Sequence, residues 1–204
     1  MVMEDMEREI KFYIQDLPAI AERLHLCGAE LCRSRILERN LRMDNGENSL
    51  MNSGRMLRIR QDDRVRITYK ANARIENGVI ARTEIEFEAD DFGKARRLFE
   101  GLGYRVFVIY EKYRREYQLG DVTVMLDELP FGDFMEIEAP NNTLIEGVAQ
   151  ILGLDWSRGI NTNYLGLMQI VKRNLQLSFD DLTFENFHGL HISYEDLGVE
   201  PADG

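Results

Sequence analysis

The sequence predicts an α+β fold in which β-strands close into a barrel with a polar, charged interior and helices flank the outside. The first observation is a recurring pattern of two charged residues at i and i+2 with an apolar neighbour. The pairs are Glu7 and Glu9, Arg58 and Arg60, Glu84 and Glu86, Lys112 and Arg114, and Glu136 and Glu138. The second observation is a count of roughly eight strand-like and four helix-like segments, without an internal repeat. A sheet with charges of both signs on one face can close around an ion-binding interior.

The first strand is predicted at residues 6–14, because Glu7, Glu9 and Lys11 alternate with apolar residues. Asp16 is a typical helix N-cap, and the proline two residues later suits a first helical turn. Apolar residues then repeat at helical spacing until Gly28, which favours the end of the helix. The chain therefore begins as a strand followed by a helix.

The middle of the chain predicts further strands. Residues 29–43 form a long strand whose loose alternation does not settle which side chains point inward, and 44–55 is a loop rich in Asn, Gly and Ser. Strands at 56–60 and 64–70 form a hairpin with a turn at Gln61–Asp63. A second loop, at Glu76–Gly78, follows the hairpin. A strand at 80–89 follows, in which Arg82, Glu84, Glu86 and Glu88 share one face.

The third part alternates helices and strands. Asp90 or Asp91 caps a helix that ends at Gly101 or Gly103, and strands follow at 104–118, 121–127 and 134–139. Two more helices are predicted from Thr143 to Leu152 and from Asn163 to Asn174. We divide the chain into a barrel domain at 1–177 and an acidic extension at 178–204 that packs on the barrel or covers one mouth. Its last residues, VEPADG, are expected to be loose.

The bulk composition excludes several classes of protein. A net charge of −11 argues against a general binder of nucleic acid polymers or anionic membranes. Cys27 and Cys32 match no zinc spacing and are expected to be reduced thiols. The acidic start is unlike a signal peptide, and no apolar run is long enough to span a bilayer. We therefore expect a soluble, cytoplasmic protein.

The charged pairs indicate phosphate chemistry. A single Glu-x-Glu pair on a strand is more often a solvated face, but repeated charges facing one interior must neutralise one another or bind a ligand. Clustered Lys and Arg suit a polyanion, since the arginine fork matches phosphate oxygens. Clustered carboxylates suit Mg²⁺ or Mn²⁺. Together they are typical of phosphoryl or nucleotidyl transfer.

The motif Glu7-x-Glu9-x-Lys11 and the order of the later pairs resemble the CYTH domain, the triphosphate tunnel metalloenzymes. That family includes class IV adenylate cyclases, thiamine triphosphatases and inorganic triphosphatases. The resemblance covers residues 6 to about 170 and implies an eight-stranded antiparallel tunnel. It implies metal ligands at Glu7, Glu9, Asp127, Glu136 and Glu138, and phosphate contacts at Lys11, Arg58, Arg60, Lys70, Lys112 and Arg114. Glu84 and Glu86 would line the tunnel beside the substrate, and Glu7, Glu9, Lys11 and Glu138 would be catalytic.

Three functions remain open at this stage. The first is hydrolysis of inorganic, nucleoside or thiamine triphosphate with Mg²⁺ or Mn²⁺. The second is conversion of ATP to cyclic AMP and pyrophosphate, which differs only in the attacking group. The third is a non-catalytic sensor of polyphosphate or nucleotide, although pure binding needs mainly the cations. The expected partner is a small triphosphate, and a homodimer is a further expectation from the family.

Overall fold

The computed structural model describes residues 6–204, in which eight strands close into one antiparallel barrel. The strands are β1 (Met6–Ile14), β2 (Glu30–Asp44), β3 (Met56–Gln61), β4 (Val65–Glu76), β5 (Val79–Ala89), β6 (Arg105–Leu119), β7 (Val122–Leu129) and β8 (Gly132–Glu138). Their order around the barrel is β1-β5-β4-β3-β2-β6-β7-β8, and β8 closes the ring by pairing with β1. The predicted fold, an α+β protein with an eight-stranded antiparallel barrel and flanking helices, is confirmed.

Helices occupy the outside of the barrel. They are α1 (Leu17–Leu26), α2 (Ser49–Asn52), α3 (Phe92–Gly101), α4 (Asn142–Ile151), α5 (Tyr164–Leu175) and α6 (Tyr194–Leu197). Asp16, Asp91 and Asn163 accept backbone N–H groups at the starts of α1, α3 and α5, as expected of N-cap side chains. Within residues 6–204, no helix combines the length and apolar character needed to cross a membrane.

Two segments differ from the sequence-based expectation. Strand β4 continues past Lys70 to Glu76, because its second half still pairs with β5 after a bulge. The predicted loop at 44–55 contains the short helix α2, which is held at its start by one carboxylate. Asp44 accepts the N–H groups of Leu50 and Met51 at 3.0 and 2.9 Å.

The apolar core lies outside the barrel, between the sheet and the helices. Ile10, Phe12 and Ile14 on the outer face of β1 are at most 1% exposed and pack with residues of α1 and α4. A second cluster lies under α5, and a third under α3. Because the outer face of the sheet supplies the hydrophobic burial, the inner face is available for charged side chains.

The end of the chain corrects the expectation that residues 199–204 are loose. Ala202 is 1% exposed, and its N–H donates to the carbonyl oxygen of Tyr13 at 3.1 Å. The carboxylate of Asp203 accepts the N–H of Gln15. These bonds satisfy backbone groups at the end of β1, which is why the terminal residues are ordered there. The division of the chain at residue 177 stays a prediction.

Candidate active site inside the barrel

A cavity of about 630 Å³ occupies the barrel interior. Ten Lys or Arg and seven Glu side chains line it, so the cavity carries an excess of positive charge although the whole chain has a net charge of −11. Twelve of the thirteen residues predicted from the sequence line this cavity, and the thirteenth, Asp127, is fully buried. The structure thus brings the five charged pairs, which come from five strands, to one place.

Strand register gathers the carboxylates around β1. Glu9 lies directly opposite Glu138 on β8, and Glu7 lies on the same face two residues earlier. Burial, together with the negative charges of Glu7 and Glu9, raises the pKa of Glu138 to about 7. In the part of the chain that the structure describes, no cation forms a salt bridge with Glu138, unlike Glu7 and Glu9.

Glu7 and Glu9 are held by three cations. Lys70 Nζ lies 2.6 Å from Glu7, and Arg82 bridges the two carboxylates with nitrogens 2.7 Å from each. Lys11 Nζ lies 2.7 Å from Glu9. Although burial alone would raise the pKa of Glu7, Lys70 and Arg82 outweigh it and lower that pKa far below its usual range. Glu7 is therefore ionised.

A cationic wall lies on β2 and β3. Arg58 donates to the Tyr110 hydroxyl at 3.2 Å and to Thr68 at 3.0 Å, and Arg42 lies opposite Arg58 across the two strands. Burial and the charge of Arg58 lower the pKa of Arg42. Among residues 6–204, no carboxylate forms a salt bridge with Arg42, so this wall favours an added anion.

Asp127 lies on the same face of β7 as Thr123 and Met125, which line the cavity, and it anchors two further cations. Its fully buried carboxylate accepts from Lys112 at 2.8 Å, from Arg114 at 2.6 and 2.5 Å and from the Tyr164 hydroxyl at 2.8 Å. Arg114 lies directly opposite Asp127 on the neighbouring strand and contacts both of its oxygens. The expected role of Asp127 as a metal ligand stays a prediction.

Glu136 is similarly engaged. Lys11 lies 3.3 Å and Arg114 2.7 Å from its oxygens, and the pKa of Glu136 is well below its usual value because these cations, with Lys112, outweigh the effect of burial. Glu84 and Glu86 line the cavity beside Lys70 and Arg58, at 3.0 and 3.4 Å.

Glu7, Glu9 and Glu138, called the acidic wall below, have the chemistry to bind a divalent cation. Within the described chain, no three His, Cys, Asp or Glu side chains already form a compact metal cluster. Glu7, Glu9 and Glu138 nevertheless offer hard oxygen donors. Burial and, after it, the charges of Glu7 and Glu9 raise the pKa of Glu138, and such an ion would neutralise those charges. These carboxylates can coordinate a divalent cation once Lys70 and Arg82 release some of the oxygens that they now contact.

Comparison with known families decides the identity of this barrel. The model of the CYTH domain matches residues 5–151, which is more than half of the chain. The protein belongs to the CYTH family. Members of this family are adenylate cyclases and triphosphatases that bind ATP or other triphosphates and depend on divalent metals.

Similar proteins come from archaea, bacteria and plants. A Methanocaldococcus jannaschii protein provisionally named adenylate cyclase is 28% identical over 65% of this chain and 76% of its own length. The PH1012 protein of Pyrococcus horikoshii is 27% identical, with a TM-score of 0.66 over 78% of this chain and 96% of its own. HpAC1 from Hippeastrum, described as a cyclase candidate with a dominant triphosphatase activity, is 20% identical, with a TM-score of 0.60 over 80% and 95%, respectively.

Several residues that line the cavity of this CYTH barrel were not predicted from the sequence to belong to the site. Arg82 was placed on the correct face of its strand but received no role, and the long strand β2 left the orientation of Arg42 unsettled. Tyr110 and Tyr164 reach the cavity as well. The strand alternation could have found Arg82 and Tyr110, whereas Tyr164 comes from a helix beyond the matched span and had no local signal.

Proposed function

We propose that this CYTH protein hydrolyses triphosphate compounds (inorganic, nucleoside or thiamine triphosphate) inside the barrel with Mg²⁺ or Mn²⁺. The observation that carries the proposal is the division of one cavity into a cationic wall and an acidic wall. The first can neutralise phosphate oxygens, and the second offers donors for a divalent ion. A protein that only binds a polyanion would need only the cationic wall, so the presence of the acidic wall weighs against a non-catalytic sensor.

In this proposal six cations bind the triphosphate. They are Lys11, Arg58, Arg60, Lys70, Lys112 and Arg114, all of which line the cavity. Each is at most 7% exposed, so their charges are little screened by water and are strong ligands for phosphate oxygens. Glu84 and Glu86 orient Lys70 and Arg58 through the contacts described above. Arg42 is an additional phosphate ligand in this arrangement.

The proposed metal ligands are Glu7, Glu9 and Glu138, with Glu136 at the edge of the group. Asp127 is a further candidate on the same terms as Glu7: its oxygens, which now accept from Lys112, Arg114 and Tyr164, would first have to be released. A bound divalent ion supplies charge stabilisation of the transferring phosphoryl group.

The reaction proposed is attack of water on the terminal phosphorus. A new P–O bond forms as the bond to the bridging oxygen breaks, and the leaving diphosphate carries the displaced electron pair. Lys11 lies between Glu9 and Glu136 at 2.7 and 3.3 Å, and these carboxylates raise its pKa despite its burial. Lys11 therefore stays charged and stabilises the leaving oxygen, while a wall carboxylate orients the water, whose proton leaves with the orthophosphate that forms.

Adenylate cyclase activity is the second candidate. The Methanocaldococcus jannaschii relative bears that name. In this reaction the ribose 3′-hydroxyl of ATP would attack the α-phosphorus, and pyrophosphate would leave as the bond to the α–β bridging oxygen breaks. The same cations and carboxylates serve both reactions. The Hippeastrum neighbour, described as mainly a triphosphatase, favours hydrolysis as the first candidate.

Product analysis tests the proposal. Purified protein with Mg²⁺ or Mn²⁺ is incubated separately with inorganic triphosphate, ATP and thiamine triphosphate, and nucleotides, phosphate and pyrophosphate are quantified. Release of orthophosphate supports hydrolysis, whereas cyclic AMP with equimolar pyrophosphate identifies a cyclase. Binding of triphosphate without turnover of any substrate, with either metal, would contradict both hydrolysis and cyclisation. The remaining function would be a non-catalytic sensor of polyphosphate or nucleotide.

A further inference from the structure

Tyr164 lies at the start of α5, beyond residues 5–151 that the CYTH model covers, yet its side chain lines the barrel cavity. Its hydroxyl donates to Oδ2 of Asp127 at 2.8 Å. Burial and the charge of Asp127 raise the pKa of Tyr164 well above its usual value, so the hydroxyl remains a donor. Asp127 in turn contacts Lys112 and Arg114.

Two lysines from different strands lie over the Tyr164 ring. Lys11 Nζ of β1 is 5.5 Å from the ring centroid, and Lys112 Nζ of β6 is 5.2 Å from it. Both distances are within the range of cation–π attraction, which strengthens when the pair is removed from water. All three residues are at most 6% exposed. One side chain therefore contacts cations on separate walls of the cavity.

The chain before α5 fixes the position of this ring. The N–H of Ile160 donates to the carbonyl oxygen of Lys11 at 2.8 Å. Gly159 permits this close approach, since a Cβ at that position would lie 2.7 Å from Cδ1 of Ile10. Phe134 packs edge-on against Tyr164 with ring centroids 5.2 Å apart. The backbone before Tyr164 is therefore tied to β1, and the buried ring itself packs on Phe134.

We propose that Tyr164 is a positioning residue that sets the places of Lys11 and Lys112 for triphosphate binding, through its ring and through Asp127. The inference rests on the proposed function, since it requires these lysines to contact the substrate. It also assigns a role to the chain beyond the matched CYTH span: α5 completes the phosphate site. Tyr164 acts through the lysines, so its loss changes affinity and rate without removing a phosphate ligand.

The test compares Tyr164→Leu, which removes ring and hydroxyl, with Tyr164→Phe, which keeps the ring. Calorimetry measures binding of inorganic triphosphate in EDTA, and steady-state assays with Mg²⁺ give KM and kcat. We expect Tyr164→Leu to weaken binding about tenfold, because Lys11 and Lys112 stay in the site but lose the ring that holds them in place. Tyr164→Phe should recover part of that loss. The matched control is Phe187→Leu, because Phe187 is 4% exposed in the same apolar cluster and lies outside the cavity lining.

The outcomes separate this inference from the proposed function. Wild-type affinity in both Tyr164 variants, or equal weakening in Phe187→Leu, would reduce Tyr164 to a packing residue and overturn the inference. Failure of the wild-type protein to bind triphosphate would overturn the proposed function and the inference with it. If Tyr164→Leu does not fold, Tyr164→Phe alone decides, since it removes the hydrogen bond to Asp127 and must weaken binding measurably.

Discussion

Glu138 shows how one side chain can be tuned for function at the expense of stability. It is surrounded by Glu7 and Glu9, and its pKa of about 7 means that the folded protein holds a proton there that an unfolded chain releases near 4.5. Between these values the folded state binds more protons, so the free energy of unfolding falls as the pH rises. The metal-free barrel carries a local charge conflict at neutral and higher pH.

Replacing Glu138 with Gln should have opposite effects on stability and activity. In EDTA at pH 8, we expect Glu138→Gln to be more stable by about 2 kcal/mol, after allowing for solvent screening of a partly exposed group. Turnover with Mg²⁺ should fall by about 10²-fold or more, as a ligand carboxylate is lost. Urea unfolding at pH 5 and pH 8 and a phosphate-release assay measure both; a variant that is less stable at pH 8 contradicts the charge argument.

Arg42 tests the cationic wall without breaking an ion pair. Since no carboxylate of residues 6–204 forms a salt bridge with it, Arg42→Gln should leave the Tm unchanged or raise it. KM for inorganic triphosphate should rise about tenfold through a lost phosphate contact. Arg39→Gln is the control: it changes the same charge on the same strand, but its side chain is 54% exposed and absent from the cavity lining. Equal KM values for the two variants would remove Arg42 from the site.

At the scale of elements, the segment between α5 and α6, residues 176–193, packs against β6 and is called the strap below. Leu182 is fully buried, its N–H donates to Ile109 at 2.9 Å, and its carbonyl accepts from Glu111 at 2.8 Å. These bonds lie on either side of Tyr110, whose hydroxyl accepts from Arg58 in the cavity. The strap thereby supports the cationic wall from outside.

Leu182→Ala should destabilise the protein by about 3 kcal/mol, the cost of removing a buried leucine side chain and leaving a cavity. The measurement is denaturant unfolding, monitored by circular dichroism. Leu190→Ala, at a residue of the same segment that is 42% exposed, should change stability by less than about 0.5 kcal/mol. Similar losses in both variants would mean that the strap packs loosely.

The sequence predicted elements better than contacts. Alternation placed Glu7, Glu9 and Lys11 on one face correctly, because a strand's period of two is a local property. It could not show that Arg114 faces Asp127, since that pairing depends on the register between strands. The position of Tyr164 could not be predicted from the sequence either. Its approach to Lys11 requires the chain after α4 to fold back across β1, which depends on long-range packing.

At the scale of the whole molecule, charge of opposite sign is separated between surface and cavity. The chain has a net charge of −11, whereas cationic side chains outnumber carboxylates ten to seven in the cavity lining. A long polyanion meets the acidic exterior, and a small one can reach the cationic wall. Size and charge therefore act together in selecting the ligand.

This separation predicts discrimination between polymers and small phosphates. At about 0.15 M salt, where the screening length is about 8 Å, inorganic triphosphate should bind and double-stranded DNA should not. Calorimetry with triphosphate and a mobility-shift assay with DNA provide the comparison, and DNA should not inhibit triphosphate turnover. Competitive inhibition by DNA would show that the cavity cations are accessible to a polymer.

Closure of the ring between β1 and β8 also has a consequence for synthesis on the ribosome. Residue 9 pairs with residue 138, so the first strand acquires its final neighbour only after some 130 further residues have been added. At 5–20 residues per second, this delay is on the order of ten seconds. During that interval Ile10 and Phe12, which the native fold buries, also lack α4, one of the two helices that pack with them, because α4 follows β8 in the chain. The nascent chain is therefore a natural client for chaperones that shield apolar segments until translation passes β8.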